Sequence, residues 1–162
     1  LGSDAWPAQG LRPDASALRS AATRAPKLFG GDARCICIAG FGEPTVQAAN
    51  IDTDFRYDVS FDGDGTVAVD SALLAGGVCY YARSSHSMLT RNAAVAAAAI
   101  DLLRDGHTQR LPTSRPQPGA AWRVSDAQLR ALPHPRIDWA AMSVDERRVF
   151  LDALNQPLPL QT

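Results

Sequence analysis

The stretch Phe55-Arg56-Tyr57-Asp58-Val59-Ser60-Phe61-Asp62-Gly63-Asp64-Gly65-Thr66-Val67 decides how this chain of 162 residues is read. Its first half alternates, with Phe55, Tyr57, Val59 and Phe61 on one face, which is the period of a strand with one buried side. Its second half, Asp62-Gly63-Asp64-Gly65, is a loop whose glycines permit tight backbone geometry. An acidic turn at a strand end has three readings. Calcium is the first, because D-x-D-G occurs in EF-hand loops, and it fails on spacing. With Asp58 as the first ligand the place of the bidentate glutamate falls on Val69, and with Ser60 it falls on Ser71. A plain Asx turn is the second reading and the default for an Asp-Gly dipeptide standing alone. The third is a catalytic acid held at the end of a strand.

The acid does not stand alone. Of three histidines, His86 lies in the polar loop Arg83-Ser84-Ser85-His86-Ser87, directly after the strand candidate Val78 to Ala82. A carboxylate that fixes an imidazole, and the imidazole that serves as general base, come from separate loops in the Asp-then-His order of α/β-hydrolases. The spacing from Asp64 to His86 leaves room for one helix and one strand, so the two loops can emerge side by side. His107 follows a helix end and reads as a cap. His134 sits between Pro133 and Pro135.

Around this pair the expected order alternates strand and helix. Residues 1–33 read as an Ala-, Ser- and Pro-rich connector with a helix from Ala15 to Arg24, punctuated by Pro26 and Gly30-Gly31. Arg34 to Ala39 reads as a buried strand stopped by Gly40-Phe41-Gly42-Glu43-Pro44. Phe55 to Phe61 and Val78 to Ala82 are the second and third strands, with a helical stretch near Asp70 to Ala75 between them. Asn92 is a good N-cap for a helix over Ala93 to Arg104, with Gly106 as its C-terminal cap and Val95, Ala99, Ile100, Leu102 and Leu103 as its apolar face. Residues 34–111 form the core of this reading. Residues 112–162 hold seven of the eleven prolines and read as a helical appendage. Two capping boxes, Ser125 to Gln128 and Ser143 to Glu146, predict short helices near 126–132 and 144–154. Val149, Phe150, Ala153 and Leu154 would form a stripe packing on the body of the protein.

Composition narrows the partners. Sixteen basic against seventeen acidic residues give a net charge of −1, without the basic surplus that draws a protein to nucleic acid. No apolar run approaches the roughly 18 residues of a membrane span. Cys35, Cys37 and Cys79 show no C-x-x-C spacing and read as small hydrophobes, with Cys35 and Cys37 on one face of an extended segment. No cofactor and no metal is called for.

Three islands resemble the C-terminal catalytic half of the lecithin:cholesterol acyltransferase and lysosomal phospholipase A2 family of α/β-hydrolases. They are Gly40-Phe41-Gly42-Glu43-Pro44-Thr45, like that family's G-x-G-x-P-T turn; Asp62-Gly63-Asp64-Gly65-Thr66-Val67, like its G-D-G-T-V acid loop; and His86-Ser87-Met88-Leu89 with Asn92 opening an Ala-rich helix. The resemblance covers about residues 34–104 and implies an α/β fold that is the C-terminal part of a hydrolase sheet, with about three strands here. It implies Asp64 as triad acid and His86 as triad base. Asp62 is the lesser candidate for the acid, since D-G-D-G offers two registers and the following Thr-Val favours Asp64. No G-x-S-x-G occurs in the chain, and Ser84, Ser85 and Ser87 flank the histidine without forming a nucleophile elbow.

The chain begins at Leu1 without an initiator Met, and the expectation is a processed product or a piece of something longer, with Leu1 to Trp6 returning from a lid. The leading expectation is the C-terminal portion of a serine esterase, lipase or acyltransferase. It would give acid and base to a serine on a separate N-terminal portion and act on hydrophobic esters. The alternative is a noncatalytic binding or scaffold module on the same fold.

Overall fold

The computed structural model describes residues 14–25, 31–51, 55–131 and 137–154. Leu1 to Trp6, Pro26, Gly30 and His134 lie outside them. The architecture is mixed α/β with two small sheets. Strand β1 (Ile36–Phe41) pairs in parallel with β4 (Val78–Arg83), and β3 (Phe55–Ser60) is the centre of an antiparallel sheet between β2 (Thr45–Ile51) and β5 (Ala121–Ser125). Helices α1 (Ala15–Arg24), α2 (Val69–Ala72), α3 (Ala93–Asp105), α4 (Asp126–Arg130) and α5 (Val144–Leu154) complete it, with a 3-10 helix over His86–Arg91.

Alternation along the parallel pair sorts its side chains onto two faces. Tyr80 and Ala82 of β4, with Ile38 of β1, pack against Ala98, Val95 and Leu102 of α3. Tyr81, Cys79, Ala39 and Phe41 point the other way, onto Val69 and Ala72 of α2. The pair is therefore covered by a helix on each side, the environment parallel strands require. The antiparallel sheet has its own core of Val59 and Val124, flanked by Tyr57, Trp122 and Leu129.

Among the described residues five strands stand where about three were expected. The first runs two residues further than Arg34 to Ala39 predicts, taking in Gly40 and Phe41, because the turn begins only at Gly42. Strand β2 was unforeseen: Ala48, Ala49 and Asn50 have poor strand propensity, and pairing with β3 along its length overrides it. Strand β5 lies in the proline-rich region, where Trp122 and Val124 alternate with the outward Arg123, and it pairs with β3 from Ser60↔Ala121 to Arg56↔Ser125. The segment before it is held by a hydrogen bond from Tyr81 N to Pro112 O and by the burial of Leu111 beside Tyr80.

Caps account for the helix ends. Asn92 Oδ1 accepts from Ala94 N and Val95 N, and Gly106 closes α3 in the left-handed conformation. The face of α3 agrees with the expected one at Val95 and Leu102, which pack on the core, and departs from it at Ala98, which is fully buried, and at Ile100 and Leu103, which are exposed. Both capping boxes form, Ser125 with Gln128 and Ser143 with Glu146. On α5 the expected stripe divides: Phe150 packs edge-on against Trp139 at 5.9 Å, and Val149 is 70% exposed. The Leu154 side chain lies outside the described residues.

The departure gives a direct test. Ala98→Leu overpacks the helix–sheet contact and is expected to destabilise by about 1–3 kcal/mol. Leu103→Gln should change stability by no more than about 0.5 kcal/mol. Urea unfolding of the two variants checks the assignment, and the reverse order would place the other face of α3 inward.

Candidate active site

The candidate residues lie in loops that leave the carboxyl ends of three strands, β1 and β4 of the parallel pair and β3 of the antiparallel sheet. After β1 the chain turns at Gly42 and enters β2 through Thr45. After β3 it makes the Asp62-Gly63-Asp64-Gly65 turn and enters α2. After β4 it passes Ser84 and Ser85 to His86. Ser84 N donates to Phe41 O, and Glu43 N donates to Gly63 O, so the three loops are stitched by main-chain hydrogen bonds.

Asp64 lies at the centre and is 3% exposed. Its Oδ1 accepts from Thr66 N at 3.0 Å and Val67 N at 2.7 Å. Its Oδ2 is 2.9 Å from His86 Nδ1. Its main-chain oxygen accepts from His86 N at 2.8 Å, so the same residue fixes both the backbone and the ring of the histidine. An ionised carboxylate only accepts, so Nδ1 carries the proton in this bond and the neutral ring keeps Nε2 as an acceptor. The imidazole is 44% exposed, and among the described residues nothing hydrogen-bonds to Nε2.

Two residues of the first loop hold the turn in place. Buried Thr45 donates from Oγ1 to Glu43 O and accepts there from Gly65 N, both at 2.8 Å. Gly40 is the point of closest approach. A Cβ there would stand 2.7 Å from Asp64 Cβ and 2.9 Å from Ser84 O, so only glycine lets β1 pass between the acid turn and the histidine loop. Gly65 itself turns at φ +91°, a conformation that glycine adopts without strain.

Asp62, the other register of the repeat, is equally buried but faces elsewhere. Its Oδ2 pairs with Arg115 Nη2, and Arg115 Nη1 reaches Asp70 Oδ1 at 2.6 Å. Hydrogen bonds and charge from Asp70 and Asp62 hold the Arg115 guanidinium above its ordinary range, and Arg115 in turn holds the Asp70 carboxyl below its own. Asp62 makes no bond to His86.

The remaining candidates are apart from this cluster. His107 Nδ1 lies 3.1 Å from Asp105 O beyond the end of α3, in the position of a cap. Cys37 and Cys79 are register neighbours on β1 and β4, Cys35 precedes β1, and all three are free thiols. Burial pushes the Cys79 thiol up. Among the described residues no group of three His, Cys, Asp or Glu is placed to hold a metal ion, and no helix is long and apolar enough to cross a membrane. Sequence reasoning passed over Arg115, whose acidic partners are 45 and 53 residues away and leave no local signal.

No protein-family model matches the chain, and no curated protein and no solved structure is matched by it.

The close approach at Gly40 is testable on the folded chain. Gly40→Ala should destabilise by about 1–3 kcal/mol, because neither Asp64 nor the Ser84 carbonyl is free to retreat. Thr45→Val should cost a similar amount, about 1–3 kcal/mol, by leaving the Gly65 N–H without its acceptor. Denaturant titration measures both, and a neutral Gly40→Ala would refute the tight packing of the three loops.

Proposed function

We propose that Asp64 and His86 are the acid and the base of a serine-dependent ester hydrolase or acyltransferase, and that this chain is the C-terminal part of an α/β-hydrolase. The observation that carries the reading is the buried Asp64 carboxylate bonded to Nδ1 of an imidazole whose opposite nitrogen no described residue engages. That is the arrangement a general base needs: the carboxylate fixes the tautomer and stabilises the cation that forms, while Nε2 faces the reacting group. The parallel pair with helices on both faces, and the histidine loop leaving the carboxyl end of β4 beside the acid turn, support the hydrolase fold. The likeness of the three sequence islands to the lecithin:cholesterol acyltransferase and lysosomal phospholipase A2 family supports hydrophobic esters as substrates.

The chemistry is acyl transfer in two steps. His86 Nε2 takes the proton of a serine hydroxyl as its oxygen attacks the ester carbonyl, and returns that proton to the departing alcohol. The acyl-serine then gives its acyl group to water or to an acceptor alcohol, with His86 removing the proton of the attacking hydroxyl and returning it to the serine oxygen as the acyl–serine bond breaks. With no G-x-S-x-G among these residues, the serine and the oxyanion hole of this reading come from a complementary N-terminal portion of the enzyme.

Activity then requires both portions. The isolated chain is expected not to turn over an activated ester. The assembly is expected to do so and to take up a fluorophosphonate probe on a serine of the complementary portion. His86→Ala should abolish labelling and lower kcat/KM by about four to six orders of magnitude, and Asp64→Asn by about four. Unaltered turnover by the isolated chain, or labelling indifferent to His86→Ala, would sink the proposal. An assembly that folds but neither turns over nor labels would identify a noncatalytic module.

A further inference from the structure

Arg115 grips both ends of the turn carrying Asp64. The turn opens at Asp62 and closes at Val69, whose N–H donates to Asp62 O at 3.0 Å. Within it, Asp64 N donates to Val67 O at 3.2 Å. At the opening, Arg115 Nη2 pairs with Asp62 Oδ2; just past the closure, Nη1 bonds Asp70 Oδ1 at 2.6 Å. One planar guanidinium therefore spans the neck of the loop, and its fork geometry allows two carboxylates to be held at a fixed separation.

The inner partner is under constraint. The Asp62 side chain is 9% exposed, and its Oδ1 is buried without a hydrogen-bond partner among the described residues. A buried carboxylate with one oxygen unsatisfied depends heavily on the cation at the other, because an unpaired charge in that place is strongly unfavourable. Arg115 is in turn positioned by its own segment. Pro112 O accepts from Tyr81 N on β4, and the following Gly119 packs against Phe61, the residue before Asp62.

We propose that Arg115 is a positioning residue for the Asp64–His86 pair: by clamping Asp62 and Asp70 it holds the intervening turn in the conformation that keeps Asp64 Oδ2 on His86 Nδ1. The role rests on the reading of that pair as catalytic, although the clamp itself is a property of this chain alone. Arg115 touches neither Asp64 nor His86. It acts through the turn, so its loss should loosen the acid–base bond without altering the chemistry of either group.

The test reads the proton on His86 Nδ1 by NMR in the full chain, identified by its disappearance in His86→Gln. In Arg115→Met that proton should exchange with solvent at least about tenfold faster, the factor expected when local opening becomes easier by about one hydrogen bond. Arg115→Lys keeps the charge but not the fork and should recover part of the protection. If Arg115→Met fails to fold, Asp62→Asn combined with Arg115→Met removes the uncompensated charge, and the exchange rate is read in that background. In the assembled enzyme Arg115→Met should lower kcat by about a hundredfold with KM little changed, as for a small misplacement of a catalytic group. A folded Arg115→Met, or the double variant in its place, with unchanged Nδ1 exchange overturns the clamp and leaves the catalytic reading intact. Faster exchange in an assembly that never labels a serine supports the clamp and overturns the catalytic reading.

Discussion

A carboxylate that is 3% exposed has given up most of its hydration, a cost of several kcal/mol unless fixed dipoles or a partner replace the water. Asp64 replaces it with two backbone N–H groups on one oxygen and an imidazole on the other. Bonds to a charged acceptor are the stronger kind, but each demands its donor at a set position. Thr66 N and Val67 N converge on Oδ1 only if the chain turns sharply at Gly65. His86 presents Nδ1 only if its loop leaves β4 beside that turn. The satisfaction of this one side chain therefore constrains the geometry of two loops.

A third loop completes the constraint from below. Thr45 joins the end of the first loop to the acid turn with a single hydroxyl that both donates and accepts, and Gly40 leaves no side chain between them. The two sheets meet at this seam. The parallel pair contributes the ends of β1 and β4, and the antiparallel sheet contributes the end of β3. Neither sheet alone could assemble the pair, which is a physical reason for the segment from Leu111 to Ser125 to run from the edge of β4 past the acid turn and on to β3.

Much of this was legible in the sequence because it is written locally. Asn92, Gly106 and the two capping boxes mark helix ends through bonds spanning three or four residues, and the strands of the parallel pair are short apolar runs. The turn at Asp62 to Val67 and the histidine loop were visible as motifs, though their meeting was an inference from order and spacing. Strand β2 was illegible because Ala48, Ala49 and Asn50 carry no strand signal and are recruited by β3. Strand β5 was masked by prolines on both sides of an alternation only five residues long. The face of α3 is legible only in part, at Val95 and Leu102, because a helix rich in alanine offers little contrast around its circumference. There the buried residue is Ala98, while the larger Ile100 and Leu103 remain outside.

The repeat Asp62-Gly63-Asp64-Gly65 offers two registers for the acid, of which the following Thr-Val favours Asp64, and the fold makes the two residues unlike. Both are buried, and each has one oxygen on a basic group. Asp62 meets the guanidinium of Arg115, a permanent cation that only donates. Asp64 meets the imidazole of His86, and its second oxygen is bonded by two backbone N–H groups. What separates the roles is the partner brought by a distant segment: Arg115 lies 53 residues beyond Asp62, and His86 lies 22 beyond Asp64. A carboxylate paired with arginine meets a group that only donates, whereas one bonded to a histidine ring nitrogen leaves the opposite nitrogen as an acceptor. The division of labour within the repeat follows from topology, since residues of the same type two positions apart face opposite elements of the fold.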